Sequence, residues 1–431
     1  MGSEEWLECK LADACSSIDY GLTASATDVP LGPRFLRITD IVSGTIDWNS
    51  VPYVQADEDI AMKYRLDSDD IVLARTGAST GASAYVNAPP PAVFASYLVR
   101  LKANSGFNSR FLAYYLKSDH FQFYLRGVLG DKSAQPNASA STMTQAPLRA
   151  PKNLATQRAI AHILGTLDDK IEMNRRMNET LEGIARAIFK SWFVDFDPVR
   201  AKVEGREIGL PDEIADLFPD QFEKFPVGWE VVPFVDTIDI VGGGTPKTSE
   251  AEYWNGDIPW FSIADAPRDA DIFVIDTQKK ISQLGLENSA VQLLPKGTTI
   301  ISARGTVGRV ALAGIPMAMN QSCYGLVDRE SPQGFYLYFT TRRLVPALLQ
   351  QTHGSVFDTI TRQTFSAVNV PVPPQTVVTA FEDKLAPLME RVLNNIQESR
   401  TLVTLREILL PKLITGQLRI PAAERIIGEV V

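Results

Sequence analysis

The chain is poor in the residues that hold small folds together covalently or through metals. Its three cysteines (Cys9, Cys15, Cys323) form no CxxC pair and no even framework, which excludes a disulfide scaffold. Its three histidines (His120, His162, His353) are scattered, so no zinc-ligand spacing exists. No uncharged apolar run reaches the ~20 residues of a membrane span. The N-terminus, "MGSEEWLECKLAD", lacks the charged-then-apolar order of a signal peptide, and Trp6 stands where a myristoylation site carries Ser or Thr. These absences predict a soluble, cytoplasmic protein. Positive charge is also short: 42 Lys and Arg against 51 Asp and Glu give a net charge of −9. That excludes indiscriminate coating of nucleic acid. Local basic grooves are still allowed, because screening confines charge effects to about 10 Å.

Catalytic signatures are missing too. There is no HExxH. The Asn- or Asp-Pro-Pro-aromatic tetrapeptide expected of an aminomethyltransferase is absent. The acidic clusters Ala56–Asp59 and Asp67–Asp70 read as solvated loops. The expectation is a chain with no catalytic site and no metal or cofactor of its own.

What the chain does have is repetition. It is 431 residues long and 45% hydrophobic, enough for more than one core. Sliding it along itself by ~220–230 residues aligns a series of weak matches in one order. Trp6-Leu7-Glu8 meets Trp229-Glu230-Val231, and "RFLRITDI" (34–41) meets "PWFSIADA" (259–266). "LARTGASTGASAYV" (73–86) meets "SARGTVGRVAL" (302–312), and "SYLVRL" (96–101) meets "SCYGLV" (322–327). "FNSRFLAYYLKS" (107–118) meets "PQGFYLYFTTRR" (332–343), and "LRAPKNLATQ" (148–157) meets "VNVPVPPQTV" (368–377). A whole domain and the segment after it are duplicated.

That segment is helical in both copies. From about Thr156 to Trp192, positions Ile160, Leu164, Leu167, Ile171, Asn174, Asn178, Leu181, Ala185, Ile188 and Trp192 step by four and three, the pattern of a coiled-coil seam. From about Val377 to Thr415 the stripe is Leu385, Leu388, Val392, Asn395, Ser399, Leu402 and Leu409, with Pro387 threatening a kink or a later start and Gly416 a natural cap. Helices of ~37 residues span roughly 55 Å, too long for a domain of this size, so they should pack on one another, antiparallel. Seam polar residues Asn174, Asn178 and Asn395 either only fix register or bond across a pseudo-two-fold axis. The fold class is therefore α+β: two tandem α/β domains (1–152 and 229–374), a central helix (153–197), a Pro-rich linker with one short helical turn (198–228), a second long helix (375–416) and a tail (417–431).

The glycine motifs are not nucleotide loops. A P-loop needs a lysine after its last glycine, where Ala82 and Arg309 stand here, and strand-like residues follow instead of a helix. They read as hairpins with a donor-rich tip.

The stretches 150–206, 370–418, "GGGTPKTSEAEYWNGDIPWFSIADA" (242–266) and "ISARGTVGRVALA" (301–313) resemble the specificity subunits of type I restriction–modification enzymes, a likeness covering nearly the whole chain. The resemblance implies a non-catalytic DNA-recognition subunit. Each domain would read one half of an asymmetric bipartite site in double-stranded DNA, and the helices would set the spacer. It further implies docking of two methylation subunits and, through them, of nuclease/translocase subunits, with S-adenosylmethionine, ATP and Mg on those partners. By loop placement and residue type, candidate DNA-binding residues are Arg34, Arg37, Arg75, Thr76, Ser79, Lys132, Gln135 and Asn137 in the first domain. In the second they are Thr245, Lys247, Trp260, Ser262, Arg304, Thr306, Arg309, Asn320, Gln321, Tyr324, Thr361 and Arg362. The competing reading is a pseudo-dimeric protein-binding scaffold with no role on DNA.

Overall fold

The structure, a computed structural model, describes residues 5–42, 44–130, 136–267, 271–328, 334–351 and 359–428. It divides into two compact units: Met1–Ile171 with Arg400–Val431, and Glu172–Ser399. Each unit holds one globular domain and a part of both long helices, Leu154–Phe193 (the central helix) and Gln375–Ile414 (the C-terminal helix), of 40 residues each.

In the first unit a four-stranded antiparallel sheet runs in the order Cys15–Tyr20, Leu98–Ala103, Ile71–Ala74, Ser83–Tyr85. Its middle strand, "IVLA", is buried at every position, as a strand covered on both faces must be. The unit also holds a short parallel pair, Arg34–Leu36 with Ala92–Phe94, and an antiparallel ribbon of Trp6–Lys10 with Pro147–Pro151. Helices Ser109–Lys117 and Asp119–Leu129 cover the sheet. They join at Ser118, whose hydroxyl caps the second helix while bonding the Tyr115 carbonyl at 2.6 Å. Ile160, Leu164 and Leu167 of the central helix share this core with Leu402, Leu409 and Leu413. The segment read as a tail is a helix, Ile420–Gly428, that buries Ala423 completely in the same core. Gly416 is left-handed (φ 76°), and a β-carbon there would lie 2.5 Å from the Trp6 ring, so glycine is required both by conformation and by space.

The second unit repeats the plan. Its five-stranded sheet runs Ile238–Gly242, Cys323–Asp328, Thr299–Ser302, Val310–Ala313, Phe273–Val274, and Glu230–Pro233 pairs with Asn369–Val372 as its N-terminal counterpart does. One helix, Phe335–Gln350, replaces the broken pair of the first unit. The reversed ends of the long helices meet here, with Ala185, Phe189 and Trp192 against Phe381, Leu385 and Val392. In one unit the start of the central helix lies on the end of the C-terminal helix, and in the other its end lies on the start, so the pair is antiparallel. The C-terminal helix runs straight through Pro387. That residue and Asp383, whose carbonyl loses its partner, are both exposed, so water replaces the missing bond.

The linker carries two short helices, Asp197–Val203 and Asp212–Ala215, where one turn is expected, and it does not stay on the surface. Val199 and Phe218 are buried (0% and 2% exposed), Phe218 edge-on to Trp192 at 5.2 Å. Each large aromatic ring so buried removes ~150–250 Å² from water, about 4–6 kcal/mol gross. Among the described residues no helix is long and apolar enough to cross a membrane.

Candidate nucleic-acid interface

In the first unit the glycine motif forms the predicted hairpin. Gly77 (φ 77°) and Gly81 (φ 94°) turn the chain, and Gly81 N–H donates to the Ala74 carbonyl at 2.9 Å. The tip is tied to the segment before the helix Ala140–Thr144: Gly77 N–H donates to the Pro136 carbonyl at 2.9 Å and the Thr80 hydroxyl to the same atom at 3.2 Å. Thr76 forms a backbone bridge with Asn137. Arg75 donates from Nη2 to Asn137 Oδ1 at 3.3 Å, and its guanidinium lies 5.0 Å from the centre of the Tyr20 ring. Ser79 is half-buried, its carbonyl accepting the Ala82 N–H. Arg34 is folded inward, stacked on Tyr53 at 4.1 Å and donating to the Val51 carbonyl at 2.6 Å. Arg37 is locked to Asp40 by two bonds of 3.1 and 2.9 Å, which hold its guanidinium firmly charged. Lys132 and Gln135 lie outside the described residues.

The second unit builds the same hairpin with different contents. Gly308 N–H donates to the Ser302 carbonyl at 2.9 Å, and the Ser302 hydroxyl donates to the Thr306 carbonyl at 2.6 Å. Arg304, Thr306 and Arg309 are exposed on its tip, and Arg304 has no hydrogen-bond or ion-pair partner among the described residues. The Thr245 hydroxyl bonds Gln321 Oε1, which joins two candidate loops. Lys247 is exposed, and its carbonyl accepts the Trp254 indole at 3.2 Å. Asn320 turns its Oδ1 to the Ser322 N–H (3.0 Å), Tyr324 packs edge-on to Phe365, and Thr361 caps the helix Arg362–Ser366. Arg362 reaches the Ile240 carbonyl at 3.0 Å. Trp260 is 7% exposed with its indole donating to the Gly244 carbonyl at 3.0 Å, so it holds the glycine loop in place from inside the core. Ser262 caps the next turn through Asp265.

The two arginine motifs, aligned in sequence as Ala-Arg with Ala-Arg, are one residue out of step in space. Arg75 N–H donates to the Tyr97 carbonyl and its own carbonyl accepts Ala138 N–H; the residue making the corresponding bonds, to Ser322 and Ile360, is Ala303. Arg304 therefore takes the place of Thr76. Arg75 follows directly on the end of its strand, whereas Arg304 lies one position further on, in the bend. The surrounding frame is the same in both units. Gly21 and Gly243 are equivalent, and a β-carbon at either would meet a backbone carbonyl, at 2.3 Å (Ala95 O) and 1.8 Å (Asn320 O). Arg37 and Ser262 are equivalent caps, each N–H donating to an aspartate three residues on at 2.8 Å. Sequence reasoning missed Tyr20 and these aspartates; the glycine one position after Tyr20, where the backbones touch, was a signal that this strand end lies in the site.

The helix seam answers its own question. In the second unit Asn174 Nδ2 donates to Ser399 Oγ at 3.3 Å and Asn395 Nδ2 to Asn178 Oδ1 at 2.8 Å. These bonds join residues at corresponding positions of the two copies, so the polar seam residues bond across the helix pair. Asn174 and Asn395 each also leave a buried Oδ1 without a partner. Further along, Glu182 is 2% exposed and accepts the Ile272 N–H at 3.2 Å, with its other oxygen unpartnered. Burial, reinforced by the negative charge of Asp271, pushes its carboxyl up to about 8 against the pull of Ile272 N–H, Arg342 and Arg186. No group of His, Cys, Asp and Glu suited to a metal occurs among the described residues.

Known proteins repeat this plan. The specificity subunit of the HindI type I restriction enzyme from Haemophilus influenzae is 27% identical over 358 residues, covering 72% of this chain and 77% of its own. That of MjaIX from Methanocaldococcus jannaschii is 26% identical over 319 residues, covering 73% and 70%. The crystal structure of the type I restriction–modification S subunit from M. genitalium superposes with a TM-score of 0.59 at 14% identity, covering 96% of this chain and 97% of that one, which shows the shared fold. A family model described as type I restriction modification DNA specificity domain matches twice, at residues 32–183 and 226–396. With both halves of the duplication matched, the chain belongs to the type I restriction–modification specificity family.

Proposed function

We propose that this chain is the non-catalytic, sequence-specific DNA-binding subunit of a type I restriction–modification complex, each globular domain reading one half of an asymmetric bipartite site and the paired helices setting the spacer. The observation that carries the reading is the combination of an invariant frame with divergent tips. Both units keep the hairpin, the glycine contact and the capped turns, yet place different side chains at matching positions (Arg75 against Ala303, Thr76 against Arg304). A duplicated scaffold for a symmetric protein partner would keep its tips alike; two readers of different half-sites must not. The net charge of −9 fits a subunit whose positive surround comes from two methylation subunits, with nuclease/translocase subunits attached through them. S-adenosylmethionine, ATP and Mg then belong to those partners.

The test is to co-express the chain with its methylation subunit and map the methylated bases. A split motif with a fixed gap is expected. Four residues inserted at matching points of both helices add about 6 Å and close to one helical turn. At 3.4 Å per base pair the gap should lengthen by one or two base pairs while both half-sites stay the same. Altered half-sites with an unchanged gap refute the ruler, and a continuous or absent motif refutes the bipartite reading.

A further inference from the structure

We propose that Arg75, braced by Tyr20 and Asn137, is the residue through which the first domain requires guanine at one position of its half-site, with Tyr20 as the positioning residue; this rests on the recognition reading above. The backbone of Arg75 is fixed on both sides, N–H to the Tyr97 carbonyl at 3.1 Å and carbonyl to the Ala138 N–H at 2.9 Å. Its guanidinium is then held from two directions. Tyr20 lies 5.0 Å from its centre, and Asn137 Oδ1 accepts Nη2. The ring is itself anchored, because the Tyr20 hydroxyl accepts the Ala140 N–H at 2.9 Å. Arg75 Nε is buried without a partner, so the donors left for a ligand are Nη1 and the second hydrogen of Nη2.

Such a fork, planar and end-on, matches the O6 and N7 acceptors of guanine in the major groove. A phosphate can accept the same fork, but such a contact carries no preference among bases, which the experiment below separates. Tyr20 and Tyr97 beside it remain 44% and 59% exposed, so the braced group opens onto surface. The second unit supplies the control within the same chain. There the positions of Arg75 and Tyr20 are held by Ala303 and Gly242, so arginine and brace are missing together. Arg304, one position on, is exposed and unbraced. The ring serves the guanidinium, and where one is dispensed with so is the other.

The experiment uses the complex of this chain with its methylation subunits and duplexes randomised at the half-sites, each variant being checked for an unchanged melting temperature. Arg75→Ala should lower the preference for one G·C pair on the order of ten- to a hundredfold, with the other half-site unchanged. Arg75→Lys, which keeps charge but not the fork, should not restore it. Tyr20→Leu should lower the same preference several-fold, while Tyr20→Phe, which keeps the ring but loses its bond to the Ala140 N–H, should lower it less. An equal loss on every sequence would make Arg75 a phosphate contact, and an unchanged motif would make it structural; either overturns the proposal. So would Tyr20→Phe matching Tyr20→Leu, since the hydroxyl and not the ring would then matter. Absence of any split motif with the unsubstituted complex would instead sink the recognition reading itself.

Discussion

Glu182 offers a quantitative check on how the central helix is fastened in the second unit. Its carboxyl is buried against the second unit's domain, with one oxygen on the Ile272 N–H and the other unpartnered. Burial pushes its pKa from an ordinary 4.5 up to about 8. The folded chain therefore binds a proton that the unfolded chain releases, across the window between those values. Stability is fully present below about pH 4.5, falls as pH rises through the window, and levels off above about 8. At 1.36 kcal/mol per pH unit the whole loss is about 5 kcal/mol, an upper bound because the site relaxes. Glu182→Gln keeps an oxygen for Ile272 and removes the charge. Its urea midpoint, followed by tryptophan fluorescence, should separate from that of the parent protein progressively between pH 5 and 8, the variant being the more stable, and stay separated by a constant amount above. Comparing the two proteins at each pH cancels every other titrating group. Parallel curves across the window would show that Glu182 is ionised in the fold and that the buried, protonated state is wrong.

Two further outcomes follow from the frame. Asn178→Leu and Asn395→Leu should each destabilise the helix pair, and a double-mutant cycle on urea unfolding should give a coupling of about 1 kcal/mol; additivity within ~0.3 kcal/mol would deny the bond between them. Gly243→Ala places a β-carbon 1.8 Å from the Asn320 carbonyl, so the second unit should lose several kcal/mol or misfold, read as protease sensitivity in 226–396 with the first unit intact; normal resistance would mean the loop has room.

Much of the fold is legible in the sequence because duplication and helical periodicity are both long-range regularities. The seam positions from Ile160 to Trp192 fall inside one helix, and both observed helices, Leu154–Phe193 and Gln375–Ile414, end within two residues of the periodic stretches Thr156 to Trp192 and Val377 to Thr415. What failed was local. Matching letters set Ala74-Arg75 on Ala303-Arg304, whereas the backbone bonds set Arg75 on Ala303, so the letters slide past the backbone by one residue. Arg34 looks like a free cation in the sequence, yet Tyr53 and the Val51 carbonyl, brought in by the fold, take it out of play. Trp260 is a candidate by loop placement, yet the fold buries its ring and gives its indole N–H to the Gly244 carbonyl. The linker hid Val199 and Phe218, whose burial depends on an aromatic cluster assembled from four separate segments.

The mismatch of the two hairpins also says how such a chain can change what it reads. The groups that cannot vary are backbone contacts: Gly21 against Ala95, Gly243 against Asn320, and the aspartate-capped turns after Arg37 and Ser262. The groups that do vary sit one or two bonds beyond that frame. Exchanging Arg75-Thr76 for Ala303-Arg304 at matching backbone positions moves an arginine one residue along the chain without disturbing the Ala74 or Ser302 ladder bonds beneath it. Reading chemistry can thus be exchanged at small cost in stability, because the core never sees the change. The braced and unbraced arginines of the two units are two solutions of that kind, reached from one duplicated frame.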